Sequence, residues 1–144
     1  MIVHGNVARS TRGAVARAPE RAARLNDGND NLMDRAGFAG APKLPCEIYV
    51  DFPEVYRLRH IRFLLWHLDG RTYTYTVEVS PDGQNWEMLE DRSQKPSGAW
   101  QNIKFDGRPV KSVRVTGLSN TANESFHIIE FEAYCHVQPD RKRR

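Results

Sequence analysis

Alternating hydrophobic and polar residues dominate the middle of the chain. Residues 73–79 place Tyr, Tyr, Val and Val alternately with Thr, Thr and Glu, which is the period of a strand with one buried face. Pro81, Asp82 and Gly83 then supply a turn signal, since proline and glycine provide the dihedral angles that turns need. An apolar run resumes over 86–89. The pattern predicts a β-hairpin over 71–91.

Shorter apolar runs flank this hairpin on both sides. Residues 46–52 alternate, and we expect Pro53 to end that strand because proline has no N–H to donate. Residues 58–66 become apolar on both faces, which is typical of a strand in the middle of a packed sandwich. Three further inward-facing sets follow, namely Ile103 with Phe105, Val113 with Val115, and Ile129 with Phe131 and Ala133. The pattern therefore favours an all-β antiparallel sandwich or barrel.

Helix-forming sequence is scarce. Residues 19–25 predict one short helical turn near the N-terminus, with Pro19 at an early position and good helix formers behind it. Residues 27–45 are rich in Gly, Asp, Asn and Pro and indicate a long ordered loop. The length of 144 residues fits a single core, so we assign 1–138 to one β-sandwich domain and 139–144 to a basic C-terminal tail.

Charge is distributed unevenly along the chain. The net charge is +3, but residues 1–24 carry five arginines against Glu20 and the last five residues carry four cations against Asp140. The intervening body is acidic. Basic ends favour an acidic protein surface, an anionic lipid surface or nucleic acid as partner, with solvated arms as the plain alternative.

Signals for catalysis or membrane insertion are absent from the sequence. There is no phosphate-binding glycine loop, nucleophile elbow or metal-spaced pair of histidines or cysteines. No apolar run is long enough for a transmembrane helix. We therefore expect no enzyme activity and no transmembrane segment. Cys46 and Cys135 are interpreted as free thiols, with a single bridge between them left open.

Two short segments suggest binding. Residues 26–31 concentrate oxygen-bearing side chains around Gly28, which suits either a hard cation such as Ca²⁺ or a plain Asx turn. Residues 66–73 combine Trp, His, Asp, Arg and Tyr. Such a loop can stack on a sugar or grip a peptide, or its aromatic residues can belong to the core while the loop is simply solvated.

Several segments resemble the F5/8 type C (discoidin-like, galactose-binding-like) family. The most specific is Tyr75–Trp86, which matches the family's hairpin ending in Ser-x-Asp-Gly-x-x-Trp, and the strands at 50–63, 113–115 and 128–134 match in turn. Within the family, residues 69–80 and 120–127 are most similar to the discoidin-like domains of BTB-domain proteins, which are intracellular adaptors or substrate receptors. The resemblance implies an eight-stranded jelly-roll sandwich that binds through loops at one end.

The resemblance also implies candidate site residues. A structural Ca²⁺ would be held by Asp27, Asn29, Asn31 and Glu130, although Leu32, Met33 and Asp34 replace the family's usual Thr-x-Trp after that loop. The candidate ligand-binding residues lie in the loops 30–45, 66–72 and 118–126, and they are Arg35, Phe38, His67, Asp69, Arg71, Asn120 and Asn123.

We therefore expect a non-catalytic binding module, most simply a protein–protein interaction module or a subunit of a larger assembly. The alternatives are a calcium-stabilised carbohydrate-binding module and an anionic phospholipid binder. No cysteine near the N-terminus pairs with Cys135 as in extracellular relatives, which favours an intracellular, cytoplasmic location.

Overall fold

Seven antiparallel strands form the frame of the protein. The structure is a computed structural model, which describes residues 3–32 and 39–140. The strands are β1 (Val15–Arg17), β2 (Ala39–Ala41), β3 (Cys46–Leu65), β4 (Tyr73–Ser80), β5 (Glu87–Asp91), β6 (Ala99–Asn120) and β7 (Phe126–Tyr134). The predicted hairpin is confirmed as β4 and β5, which pair directly.

The two longest strands each take part in two layers. The first part of β3 pairs with residues 112–117 of β6, and its last part pairs with residues 99–104 of β6 and with β7. One layer therefore runs β2–β7–β3–β6, and the other runs β1–β3–β6–β4–β5. The all-β, antiparallel, galactose-binding-like sandwich is confirmed. The described part of the chain contributes seven strands to it, and β3 and β6 serve both layers.

The passage of β3 between the layers corrects one expectation. Pro53 does not end the strand, since β3 continues through it to Leu65. The pairing with β6 is instead interrupted between Asp51 and Tyr56. A missing N–H costs nothing where no ladder hydrogen bond is made, so proline is tolerated at this point.

Aromatic side chains join the two layers in one core. Phe63 of β3 meets Tyr75 of β4 with ring centroids 5.0 Å apart, and Tyr73 meets Phe126 at 5.3 Å. All four side chains are fully buried. Complete burial of such a side chain contributes about 1.5–3 kcal/mol, so these contacts hold the layers face to face.

Within residues 3–32 and 39–140, the helical structure consists of two 3₁₀ turns, Ser10–Arg12 and Ala22–Asn26. The predicted turn over 19–25 begins later than expected, because Arg21 precedes it with a φ of 51°. No helix in residues 3–32 or 39–140 has the length and apolar character needed to cross a bilayer. Cys46 and Cys135 are both free thiols.

Candidate ligand-binding site

Three segments meet at one end of the sandwich, and we call residues 27–32, 66–72 and 120–125 the loop end. Trp66 Nε1 donates a hydrogen bond to the Leu32 carbonyl at 3.3 Å. The Thr72 N–H donates to Thr121 Oγ1 at 3.0 Å, and the Thr121 N–H donates back to the Thr72 carbonyl at 3.0 Å. These bonds join three loops that are far apart in sequence into one surface.

Arg71 occupies the centre of the loop end. Its guanidinium carbon lies 4.6 Å from the centroid of the Trp66 ring. Asp69 holds it from the side, since Arg71 Nη2 donates to Asp69 Oδ2 at 2.7 Å and Arg71 Nε donates to Oδ1 at 2.9 Å. The Arg71 side chain is only 11% exposed, against 44% for Asp69. The guanidinium is therefore fixed in place by a ring beneath it and a carboxylate beside it.

The polar groups around Arg71 respond to its charge and to burial. Hydrogen bonds from Arg71 hold the pKa of Asp69 at about 2. Burial raises the pKa of Tyr73 to about 12, and the Tyr73 hydroxyl donates to the Trp66 carbonyl at 2.7 Å. Burial, and then the charge of Arg71, lowers the pKa of His127. Arg71 is thus the only one of these side chains that is charged, enclosed and stacked.

One nitrogen of Arg71 lacks an acceptor. Among the described residues, Arg71 Nη1 is buried and makes no hydrogen bond. A buried donor without a partner costs about 1–3 kcal/mol, and natural domains contain few such groups. A ligand oxygen delivered to this guanidinium would remove that cost.

The remaining predicted ligand-binding residues differ in their surroundings. Asn120 Nδ2 donates to Asn123 Oδ1 at 3.0 Å and to the Ser125 carbonyl at 2.9 Å, so both asparagines hold the 120–125 turn together. His67 packs beside Gly98. Arg35 and Phe38 lie outside the described residues. The structure therefore brings Asp69 and Arg71 together directly, and the ligand contacts of all seven residues stay predictions.

Two side chains near Arg71, one in the loop end and one in β7, were not among the predicted site residues. Trp66 is the platform for Arg71, and His127 lies near the same guanidinium. Tyr73 is fully buried in the core, whereas Trp66 is half-buried, so a role of Trp66 in ligand binding stays a prediction. The stacking of Trp66 on an arginine five residues later had no periodic signal in the sequence.

The Asx-rich loop lies against β7 at the same end. The Gly28 N–H donates to Glu130 Oε2 at 3.0 Å, and Gly28 has a φ of 84°. Asp27 Oδ1 accepts the Asn29 N–H at 2.9 Å, and Asn29 Oδ1 accepts the Asn31 N–H at 3.1 Å. The loop is therefore built from two successive Asx turns, closed by a carboxylate from β7.

Glu130 is the most unusual titratable group of this loop. Its side chain is 1% exposed, and its Oε1 atom has no hydrogen-bond partner among the described residues. Burial, followed by the negative charge of Asp27, raises its pKa to about 9. A buried carboxylate with a free oxygen beside a second carboxylate lacks a positive charge to balance it.

This donor set fits a hard cation. Ca²⁺ takes six to eight oxygens from carboxylates, amide side chains and backbone carbonyls, and the free Oε1 of Glu130 lies beside the Asp27 carboxylate and the loop backbone. Asn29 and Asn31 add amide oxygens from the same loop. The described residues hold no cluster of three or more His, Cys, Asp or Glu side chains, so such a site would depend on amide and backbone oxygens.

The family follows from comparison with known proteins. The F5/8 type C domain model matches residues 8–131. The chain belongs to the F5/8 type C domain family. The match spans both layers and the loop end, from the first 3₁₀ turn to Phe131 in β7.

Curated relatives include BTB/POZ domain-containing protein 9 of several animals. The Bos taurus protein is 44% identical over 85 residues, which is 59% of this chain and 14% of that protein. The Drosophila melanogaster protein is 42% identical over 86 residues, 60% of this chain and 12% of that protein. The expected resemblance to the BTB-protein discoidin-like domains is confirmed. The chain spans only about one seventh of the length of these relatives.

Two solved structures of the same fold come from bacterial proteins. CpGH89CBM32-6 of Clostridium perfringens superposes with a TM-score of 0.74 at 19% identity, covering 90% of this chain and 98% of that one. A chitosan-binding module from a chitosanase/glucanase of Paenibacillus sp. IK-5 superposes with a TM-score of 0.70 at 25% identity, covering 91% and 99%. The F5/8 type C family and these structural neighbours both indicate that the chain is a binding module.

Proposed function

We propose that this domain is an intracellular, non-catalytic module that binds a protein partner through its loop end. The observation that carries the proposal is Arg71, a buried guanidinium that is fixed by Trp66 and Asp69 and keeps one nitrogen without an acceptor. Tryptophan and arginine are also the side chains that most often dominate protein interfaces.

Preorganisation is the physical advantage of this arrangement. An arginine loses several rotatable bonds when a partner immobilises it, at about 0.5–1.5 kcal/mol per side chain. Arg71 is already held by two hydrogen bonds to Asp69 and by the Trp66 ring. A carbonyl or carboxylate oxygen of a partner would therefore meet a donor that needs no further ordering.

Two observations support an intracellular protein partner. Cys46 is buried, burial raises its pKa to about 11, and it is not bridged to Cys135, which is the usual state of cysteines in a reducing compartment. Curated relatives at 42–44% identity are BTB/POZ domain-containing proteins, of which this domain spans a small part. A domain within a larger protein commonly supplies a contact surface.

Arg92 provides a matched control for testing the loop end. Like Arg71, it pairs with an acidic residue two positions earlier, with Arg92 Nε 2.9 Å from Glu90 Oε2, but it lies beyond β5. Arg71→Lys keeps the charge and removes the planar fork of donors, and Arg92→Lys makes the same change elsewhere. Cytosolic proteins cross-linked to each variant would be identified, and their affinities then measured with purified components by calorimetry.

A partner that loses about tenfold or more in affinity with Arg71→Lys, and keeps its affinity with Arg92→Lys, would support the proposal. Partners that bind both variants as they bind the wild-type chain would contradict it. Thermal unfolding of the two variants shows that both are folded before any comparison is made.

The second candidate function is calcium-stabilised carbohydrate binding. It is favoured by the Trp66 ring beside the Arg71 donors, by the free Oε1 of Glu130 and by the 25% identity to a chitosan-binding module. A glycan array that includes chitosan oligosaccharides, read in Ca²⁺ and in EDTA, tests it. Glycan signals that require Ca²⁺ and disappear in Arg71→Lys would favour this candidate over the protein partner.

A further inference from the structure

A second polar pocket lies on the face of the sandwich, outside the loop end. Its volume is about 260 Å³, and Arg62, Trp100, Asn102 and Asp140 line it. Arg62 comes from β3, and Asn102 of β6 lies directly opposite it, whereas Trp100 of β6 lies opposite Leu64, two residues further along β3. We call this the sheet-face pocket. None of its residues takes part in the loop-end contacts.

Arg62 is fixed at the base of the sheet-face pocket. Its Nε donates to Glu132 Oε1 at 2.6 Å, and both side chains are only 9% exposed. Its guanidinium carbon lies 5.1 Å from the Tyr134 ring centroid and 5.7 Å from the Trp100 ring centroid. One ion pair and two aromatic rings therefore orient a cation that lines the cavity.

A hydrogen-bond relay through His60 orients Asn102. The Gln138 N–H donates to His60 Nδ1 at 3.0 Å, so Nδ1 is an acceptor and the ring proton resides on Nε2. His60 Nε2 lies 2.9 Å from Asn102 Oδ1 and therefore donates to it. The amide oxygen of Asn102 is thus used on the histidine, and its NH₂ group is the part left for the pocket.

Among the described residues that line the sheet-face pocket, the one with a carboxylate is Asp140, near the C-terminus. Asp140 Oδ1 lies 3.6 Å from Lys104 Nζ, and the Asp140 side chain is 93% exposed. The β-strands therefore contribute hydrogen-bond donors to the pocket, through Arg62 and Asn102. The hydrogen-bond acceptor comes from Asp140, whose side chain is largely exposed. The sequence continues from Asp140 with four consecutive cations.

We propose that the sheet-face pocket binds a side-chain carboxylate of an acidic segment in a partner protein, and that Asp140, which lines the pocket beside Lys104, competes for it until the partner displaces it. The donors of Arg62 and Asn102 and the charge of Lys104 match a carboxylate. The Trp100 ring covers the apolar stem of an Asp or Glu side chain. The following cations attract further acidic residues of the same segment.

The test measures binding of a short fluorescein-labelled polyglutamate peptide to the full chain by anisotropy. Asn102→Asp keeps an oxygen to accept the His60 Nε2 proton and replaces the NH₂ group by a carboxylate. We expect it to weaken binding by about tenfold, whereas Gln84→Glu, the same charge change at an exposed turn, changes affinity by less than about twofold.

Asp140→Asn tests the displacement directly. It removes the competing carboxylate, so we expect affinity to rise by about threefold, while Asp106→Asn, the same charge change at another exposed position, has a smaller effect. Equal responses to Asn102→Asp and Gln84→Glu would overturn the proposal, because attraction would then be general. A single-stranded oligonucleotide that binds more tightly than polyglutamate, with the same loss in Asn102→Asp, would overturn it in favour of nucleic acid.

Discussion

Two glutamates two residues apart on β7 have opposite electrostatic environments. Glu132 lies opposite Arg62 of β3 and pairs with it, whereas Glu130 lies opposite Leu64. Both side chains are buried. Glu132 therefore has a cation within 2.6 Å, and Glu130 has a backbone N–H, a nearby Asp27 carboxylate and a pKa raised to about 9.

The difference shows that the strand opposite, not burial, decides what a buried carboxylate does. A buried ion pair is neutral overall and is held by directional hydrogen bonds, so its net contribution is small but its disruption is costly. A buried carboxylate without a neighbouring cation is neutralised by binding a proton, or its charge is balanced when a metal ion binds. Glu132 is thus structural, whereas Glu130 is poised to respond to its surroundings.

The largest expected effect comes from removing the cation of Glu132. Arg62→Met leaves the Glu132 carboxylate buried beside Tyr134 with no opposite charge, and we expect a loss of about 3–5 kcal/mol in the free energy of unfolding. Urea denaturation followed by tryptophan fluorescence measures it. The double variant Arg62→Met with Glu132→Gln should recover part of the loss, and failure to recover any would mean that packing on Trp100, rather than charge, holds this cluster.

The ion pair also shows where sequence reasoning ends. Alternation identified the β4–β5 hairpin because its signal is local, and the spacing Asp69-x-Arg71 placed two charges on one loop in the same way. Arg62 and Glu132 are 70 positions apart, and their pairing depends on the register of β3 against β7. Periodicity gives the face that a side chain occupies, but it does not give the residue across the ladder.

The short strands were missed for a related reason. β1 and β2 contain three residues each and have no room for alternation. They form because neighbouring strands offer free backbone groups, β3 for β1 and β7 for β2. The Asp27 loop was predicted as an oxygen-rich segment and the family resemblance placed Glu130 with it, but the nearly complete burial of Glu130 becomes visible only in the packed structure.

Replacing the two glutamates by glutamine should change stability in opposite directions. At about pH 7 in EDTA, Glu132→Gln leaves Arg62 buried without its counter-charge and destabilises the fold. Glu130→Gln removes the cost of protonating a buried carboxylate on folding, and we expect a gain of about 1–2 kcal/mol. Urea denaturation of both variants measures this. Equal losses in both would contradict the contrast between them.

Calcium should reverse the result for Glu130. If the Asp27 loop holds Ca²⁺, the ion increases the free energy of unfolding of the wild-type chain by about 2.7 kcal/mol at a concentration 100 times Kd. The melting temperature rises accordingly. Glu130→Gln should lose most of that rise, because the carboxylate charge is the strongest ligand available. A wild-type chain with the same melting temperature in Ca²⁺ and in EDTA would remove the metal proposal.

The pH dependence of stability gives a third measure of Glu130. Its folded pKa of about 9 is above the ordinary value of 4.5, so the folded chain binds more protons between these values. The contribution of Glu130 to the free energy of unfolding is therefore greatest below the unfolded pKa. It is lost as pH rises towards 9, by up to about 1.4 kcal/mol per pH unit. Glu130→Gln should remove this slope in EDTA.

The measurement is best made from about pH 7 to about pH 9. Burial lowers the pKa of His60 and of His127, so these groups destabilise the fold as pH falls below about 6.5 and give a slope of opposite sign there. A wild-type slope equal to that of Glu130→Gln above pH 7 would show that Glu130 is ionised in the folded chain.

The smallest expected effect concerns Arg9, a cation whose charge acts on Glu130. Its guanidinium lies against Gly28, where an added Cβ would collide with it, and its charge partly offsets the raised pKa of Glu130. Arg9→Gln should therefore move the loss of stability in EDTA to slightly higher pH, and it should enlarge the melting-temperature response to Ca²⁺ because a competing positive charge is gone.

Arg108→Gln, which changes an exposed cation paired with Glu87, is the control and should leave both readouts unchanged. A reduced Ca²⁺ response in Arg9→Gln would mean instead that Arg9 holds the loop in its binding shape, and the contrast between Glu130 and Glu132 would then rest on loop order as well as on charge.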